Sequence, residues 1–199
     1  AIDATSKVNV VVVNASDTVE TQSVLKHKKN ASVGRKLLFK WKHVIVERED
    51  AESVCVGEIV TFMDWGNMKV LEKNEEGTAM KVEYLKDDVD YKKTKKWTWL
   101  ADLNGELVST KLIKYDHLVS KAKIEDDDEI EKIVNDESKR EWSVLGDVNL
   151  KMVKKGDIIQ LERRGYYICD AVHLRDDAVG VDSSKVLTLI EIPDGRGRK

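Results

Sequence analysis

Short apolar runs separated by polar or glycine-containing stretches set the pattern of this chain. Val8–Val13, Leu37–Trp41, Val44–Val46, Ile59–Met63, Lys69–Leu71, Met80–Tyr84 and Trp97–Leu100 are rich in β-branched or aromatic residues. Leu107–Tyr115, Ile158–Leu161, Tyr166–Cys169 and Val186–Glu191 continue the series. Runs of this length and composition predict strands. Asn74-Glu-Glu-Gly77 and Asn104-Gly105 supply turn chemistry between them. One helix is expected at Ile130, Ile133 and Val134, whose spacing fits a helical stripe; the acids before it favour the positive end of the helix dipole. The fold class is therefore all-β, as barrels or a sandwich, with a few short helices. No internal repeat or long linker is evident from the pattern.

Composition narrows the class. With 199 residues, 41% hydrophobic and 36% charged, the chain can bury a real core and forms one large or two small domains. No apolar run approaches the roughly 20 residues of a membrane span, and no N-terminal segment has signal-peptide anatomy. The two cysteines, Cys55 and Cys169, are far apart and lack metal-ligand spacing. Both read as small buried hydrophobes of a reduced, cytosolic protein.

The net charge of -3 argues against indiscriminate polyanion binding, but the charges are unevenly distributed. Glu125-Asp-Asp-Asp-Glu129 is an acid block that reads as a solvated helix start; a calcium loop would need a glycine and a closing glutamate that are missing. Bases gather at Lys26, Lys28, Lys29, Arg35 and Lys36, at Lys92, Lys93, Lys95 and Lys96, and at Lys151, Lys154, Lys155, Arg163 and Arg164. Each run alone reads as a solvated face; together on one surface they would meet phosphates. His27, His43, His117 and His173 have no metal spacing, and neither a nucleophile elbow nor a phosphate-binding glycine loop occurs.

The richest segment is Gly156-Asp-Ile-Ile-Gln-Leu-Glu-Arg-Arg-Gly-Tyr-Tyr-Ile-Cys-Asp170. It predicts a β-hairpin turning at Arg164-Gly165. Its tip carries Gln160, Arg163 and Arg164 beside two tyrosines. That is either an ordinary solvated basic turn or a surface for unstacked bases, which a forked cation, an amide and flat rings suit. Gln160 and Arg163 have opposite strand parity, so they can share a base only if the tip twists sharply or Arg163 belongs to the turn. Trp97-Thr-Trp99 puts two indoles on one face, for core packing or for stacking. Trp65, in Asp64-Trp-Gly-Asn67, either packs the hairpin base or stacks on a base.

This hairpin, with Gly57-Glu-Ile-Val-Thr-Phe-Met-Asp-Trp-Gly-Asn67, Asp90–Asp102, Tyr115–Lys121 and Ile192-Pro-Asp-Gly-Arg196, resembles the C-terminal anticodon-binding region of eukaryotic- and archaeal-type cytosolic glutamyl-tRNA synthetases, within the class I glutamyl/glutaminyl family. Ile2-Asp3 resembles the region's opening, with Ala4 where the family has proline; His27-Lys-Lys-Asn30 likewise lacks a family proline. The resemblance implies two β-barrels, one inserted in the other: residues 1–20 with 110–199, and residues 21–109. It implies tRNA(Glu) as partner. It also implies that ATP and Mg belong only to a catalytic domain whose two signature motifs are absent here, so this chain carries no cofactor and no catalytic site. In the related glutaminyl enzyme a glutamine and an arginine three positions later contact the middle anticodon base, uracil; these roles carry over to Gln160 and Arg163. Basic residues that read the other bases there are missing around Glu52 and Thr61, which favours glutamate, whose last anticodon base is cytosine. Candidate anticodon contacts are thus Gln160, Arg163, Arg164, Thr61 and Trp65, and candidate phosphate contacts Lys93, Lys95, Lys96, Lys154 and Lys155. Other readings are docking into a multi-synthetase assembly, a glutaminyl-type region, or an all-β adaptor.

Overall fold

The computed structural model describes residues 1–103, 105–121, 123–172 and 186–193. Asn104, His173 and the Asp194–Arg196 part of the last family-like segment lie outside the described residues. The strands are β1 (Ile2–Asp3), β2 (Lys7–Val12), β3 (Glu20–Leu25), β4 (Arg35–Lys40), β5 (His43–Glu47), β6 (Ile59–Phe62), β7 (Gly66–Lys73) and β8 (Ala79–Leu85). They continue as β9 (Lys95–Trp97), β10 (Trp99–Ala101), β11 (Val108–Tyr115), β12 (Lys139–Gly146), β13 (Ile158–Leu161), β14 (Gly165–Ala171) and β15 (Leu187–Ile192). Helices are short: α1 (Arg48–Glu52), α2 (Ile130–Ile133) and 3-10 turns at Ala31–Val33 and Val148–Met152. The all-β expectation holds.

The expected single strand Trp97–Leu100 is two strands with Thr98 alone between them. β9 and β10 occupy opposite ends of a seven-stranded sheet ordered β10-β5-β2-β8-β7-β6-β9. One residue cannot span a flat sheet, so the two ends curl together and the barrel nearly closes. Val8, Val10, Val44, Val46, Val82 and Phe62 fill it. Trp97 and Trp99 both point inward, as their shared parity requires; Phe62 stacks on each, at centroid distances of 5.9 and 6.1 Å.

The second sheet, ordered β1-β12-β11-β15-β14-β13, is a half-barrel. Leu112, Tyr167, Cys169, Leu187 and Leu189 are buried on its inner side. By contacts the chain divides into Ala1–Val108 with Val144–Met152, and Ser109–Ser143 with Val153–Lys199. The sequence expectation grouped residues 1–20 with the C-terminal half. Only β1 pairs there, with β12. β2 lies between β5 and β8, because its alternate valines belong to the valine-rich core of the first barrel.

An internal repeat is present, contrary to the reading of the sequence. The strand order β10-β5-β2-β8-β7-β6 is matched by β1-β12-β11-β15-β14-β13. The parallel pair falls at the same place in each, β2 with β8 and β11 with β15. A register shift lies between Val70 and Glu72 in one and between Cys169 and Ala171 in the other. The repeat escapes notice because only glycines and the apolar or acidic character of a few positions are shared. Three strands and one helix were also not expected. β1 is only two residues long, β3 is polar and pairs with β4 in a two-stranded sheet, and β12 begins with the exposed, mostly charged Lys139–Ser143 stretch; α1 is too short for a periodic stripe. The expected helix is one turn, with Val134 already extended as its C-cap.

Candidate nucleic-acid interface

The β13–β14 hairpin is built by its glycines and one acid. Gly156 has φ 88 and its N–H donates to Cys169 O at 2.8 Å; Cys169 N–H returns a bond to Asp157 O at 2.9 Å. The Asp157 carboxylate accepts from Lys154 N–H at 2.8 Å and fixes the entry to β13. Leu161 pairs with Gly165, leaving Glu162-Arg163-Arg164 as the turn, closed by Arg164 N–H donating to Leu161 O at 3.0 Å. Arg163 has φ 63 and Gly165 φ 119. Arg163 is thus a turn residue in the left-handed region, which removes the parity conflict with Gln160.

Alternation then sorts the hairpin. Leu161, Tyr167 and Cys169 face inward; Ile158, Gln160, Tyr166 and Ile168 face out, Gln160 directly across from Tyr166. Arg163 is exposed, Arg164 half-buried, and Lys154 and Lys155 exposed, with Lys155 3.8 Å from Asp170. Burial, then the Asp157 and Asp170 carboxylates, push the Cys169 thiol up. Burial, then Glu191, raise the Tyr167 phenol against an opposing pull from Arg164. The inner side is therefore inert, and the hydrogen-bonding groups are at the tip and outer face.

The β6–β7 hairpin of the first barrel repeats this construction position by position. Gly57 has φ 93 and its N–H donates to Val70 O at 2.8 Å; Val70 N–H donates to Glu58 O at 2.9 Å. The Glu58 carboxylate accepts from Cys55 N–H at 2.6 Å. Phe62 pairs with Gly66, so Met63-Asp64-Trp65 is the turn, and Trp65 N–H donates to Phe62 O at 3.0 Å. Asp64, the counterpart of Arg163, has φ 62. The Lys28 ammonium from the β3–β4 loop lies 2.9 Å from its carboxylate.

Two expected contacts change meaning here. Thr61 is only 6% exposed, and its hydroxyl donates to Asn67 Oδ1 at 2.6 Å and bonds Thr94. It pins the 88–94 loop to the hairpin, so it cannot touch a base without breaking buried bonds. Trp65 is half-buried against Trp99 at 4.8 Å, and the Trp99 indole donates to Met63 O at 2.8 Å, so the aromatic cluster braces the turn. Lys93, Lys95 and Lys96 are exposed on the neighbouring loop and strand; the Lys95 ammonium donates to Ser53 O and that of Lys96 to Tyr91 O and Thr94 O. Glu52 is exposed and pairs with Arg48. The acid block folds as a turn before α2, with Asp128 accepting from Glu125 N–H and engaged by Lys121. Cys55, expected to be buried, is exposed because it sits in the loop feeding β6.

Asp64 was not singled out in the sequence, and Lys28 was only one of a basic run. The signal available was the recurrence of Gly-acid-Ile with a second glycine nine positions after the first, at Gly57 to Gly66 and Gly156 to Gly165. Two repeated sheets, each with a hairpin whose turn holds a charged left-handed residue, define an all-β module. Residues 2–87 and 96–170 each match the family described as tRNA synthetases class I (E and Q), anti-codon binding domain. The cytoplasmic glutamate–tRNA ligase of Arabidopsis thaliana is 40% identical over 203 residues, spanning 100% of this chain and 27% of the relative. That of Saccharomyces cerevisiae is 39% identical over 172 residues, 86% of this chain and 23% of the relative. The bifunctional glutamate/proline–tRNA ligase of Mus musculus is 38% identical over 199 residues, 97% of this chain and 13% of the relative. The chain belongs to the anticodon-binding domain family of the class I glutamyl and glutaminyl tRNA synthetases. It spans about a quarter of the plant and yeast relatives it matches.

Proposed function

We propose that this chain binds the anticodon loop of tRNA(Glu) as part of a cytoplasmic glutamate–tRNA ligase, and that amino-acid activation, with its ATP and Mg, is done by a catalytic domain outside it. The observation that carries the reading is the β13–β14 tip, where Gln160 is outward on its strand and Arg163 is exposed in the turn. Single-stranded RNA is read by splaying bases onto such hydrogen-bonding and stacking groups. Arg163 and Gln160 take the middle base, uracil, whose carbonyl oxygens accept from both. Arg164 supports the same loop with charge. Lys93, Lys95, Lys96, Lys154 and Lys155 take phosphates, and Trp65 offers the edge of its braced ring to a base. Thr61 acts as a positioning residue through Asn67 and Thr94. The glutamate assignment follows the names of the relatives. The test is binding of tRNA(Glu), tRNA(Gln) and an unrelated tRNA at several salt concentrations. A preference for tRNA(Glu) at every salt concentration is expected; equal binding of all three would overturn the reading. Pyrophosphate exchange by the chain alone with glutamate and ATP would refute the division of labour.

A further inference from the structure

We propose that Asp64 is a second base-reading residue, specific for the cytosine that ends the glutamate anticodon. The inference rests on the anticodon-binding reading above. The β6–β7 turn is the internal counterpart of the β13–β14 turn: Asp64 and Arg163 occupy equivalent positions with φ 62 and φ 63, each the middle residue of a three-residue turn, two after the strand end and two before a glycine of positive φ. What differs is the charge. A guanidinium only donates and suits a base rich in carbonyl oxygens; a carboxylate only accepts and suits an exocyclic amine. Cytosine offers that amine at N4, where uracil offers an oxygen that a carboxylate repels.

The surroundings of Asp64 fit such a ligand. Lys28 pairs with Asp64 at 2.9 Å. The loop carrying Lys93 is tied to the same hairpin through Thr61 and Asn67, whose amide donates to Asp90 O at 3.1 Å, and Lys95 and Lys96 lie on β9, paired with β6. Lys28 beside the carboxylate keeps a cation for phosphate in reach, and the Asp64 side chain remains partly exposed for a base. Lys28 occupies one of about four acceptor sites of the carboxylate, so the amine can bond without displacing it. Trp65, braced by Trp99, holds the turn rigid.

The experiment uses the full-length ligase and tRNA(Glu) transcripts with the last anticodon base as cytosine or uracil, read by Kd and by aminoacylation kcat/KM. Asp64→Asn and Asp64→Gly both tolerate positive φ, so each folds. Wild type is expected to prefer cytosine, and both variants to lose that preference by about 10-fold, the scale of one good base contact. Lys28→Ala removes the ion pair but keeps the acceptor, and retains the preference. Uniform loss on both transcripts, no loss, or an equal loss of preference in Lys28→Ala would each overturn the proposal. Arg163→Ala with the middle base substituted serves as control: if it retains its base-dependent loss while the Asp64 variants have none, only Asp64 is misassigned. If neither is base-dependent, the anticodon reading itself fails.

Discussion

Arg163 is where local cost and function meet. A non-glycine residue at positive φ costs about 1 kcal/mol, and a solvated turn has no need of an arginine there. Arg163→Gly should therefore leave stability unchanged or raise it by up to about 1 kcal/mol while weakening tRNA binding. Denaturant unfolding and binding on the same preparation check both halves. The cysteines offer a second check. Cys55 is exposed, whereas Cys169 is buried and its thiol is raised, so it holds its proton to higher pH in the native state than an ordinary thiol. Native protein should react with one equivalent of iodoacetamide at neutral pH and unfolded protein with two. Two fast native equivalents would contradict the described packing. At this scale the sequence made the hairpin tip that holds Gln160 and Arg163 legible, because glycine and turn chemistry mark it. It gave no sign that Thr61 is buried, since a hydroxyl on a strand does not reveal which face it takes. Asp64 went unnoticed because its importance comes from correspondence with a distant turn.

Hairpin glycines set the geometry at the next scale, and they are not equivalent. A Cβ on Gly66 would lie 2.7 Å from Tyr84 Cε2, at φ 148. At Gly165, φ 119, nothing lies within 4 Å. Gly165→Ala should cost about 1 kcal/mol from backbone strain alone, and Gly66→Ala about 2 kcal/mol or more as the aromatic cluster shifts. Equal losses in chemical denaturation would show that Tyr84 yields freely. Most strands were legible because β-branched runs bounded by turns leave little choice. β3 and β12 were not: Glu20–Leu25 is polar and its pairing with β4 depends on main-chain bonds that residue identity hardly encodes, and Lys139–Ser143 is exposed and mostly charged. The Trp97–Leu100 run concealed a break at Thr98, since strand propensity is blind to which neighbour a residue pairs with.

For the whole molecule, a net charge of -3 coexists with basic hairpin surroundings, because acids such as Glu125–Glu129 are placed away in sequence. Removing one phosphate contact should act on every tRNA alike. Lys95→Ala or Lys155→Ala should weaken all tRNAs and lower the salt slope of log K by about one. An unchanged slope would withdraw the phosphate role. The repeat of the two sheets could not be read from periodicity, because duplication is preserved in strand order and glycine positions rather than in side chains. The central claim is that the hairpin apex reads the middle anticodon base. Its most direct test is the binding of full-length wild type and Arg163→Ala to tRNA(Glu) and to a transcript with only that base replaced. Arg163→Ala should lose about 1–3 kcal/mol on the natural tRNA, Gln160→Ala less, and wild type and Arg163→Ala should bind the substituted transcript alike. An equal loss on both transcripts would make Arg163 a phosphate or packing residue and contradict the account.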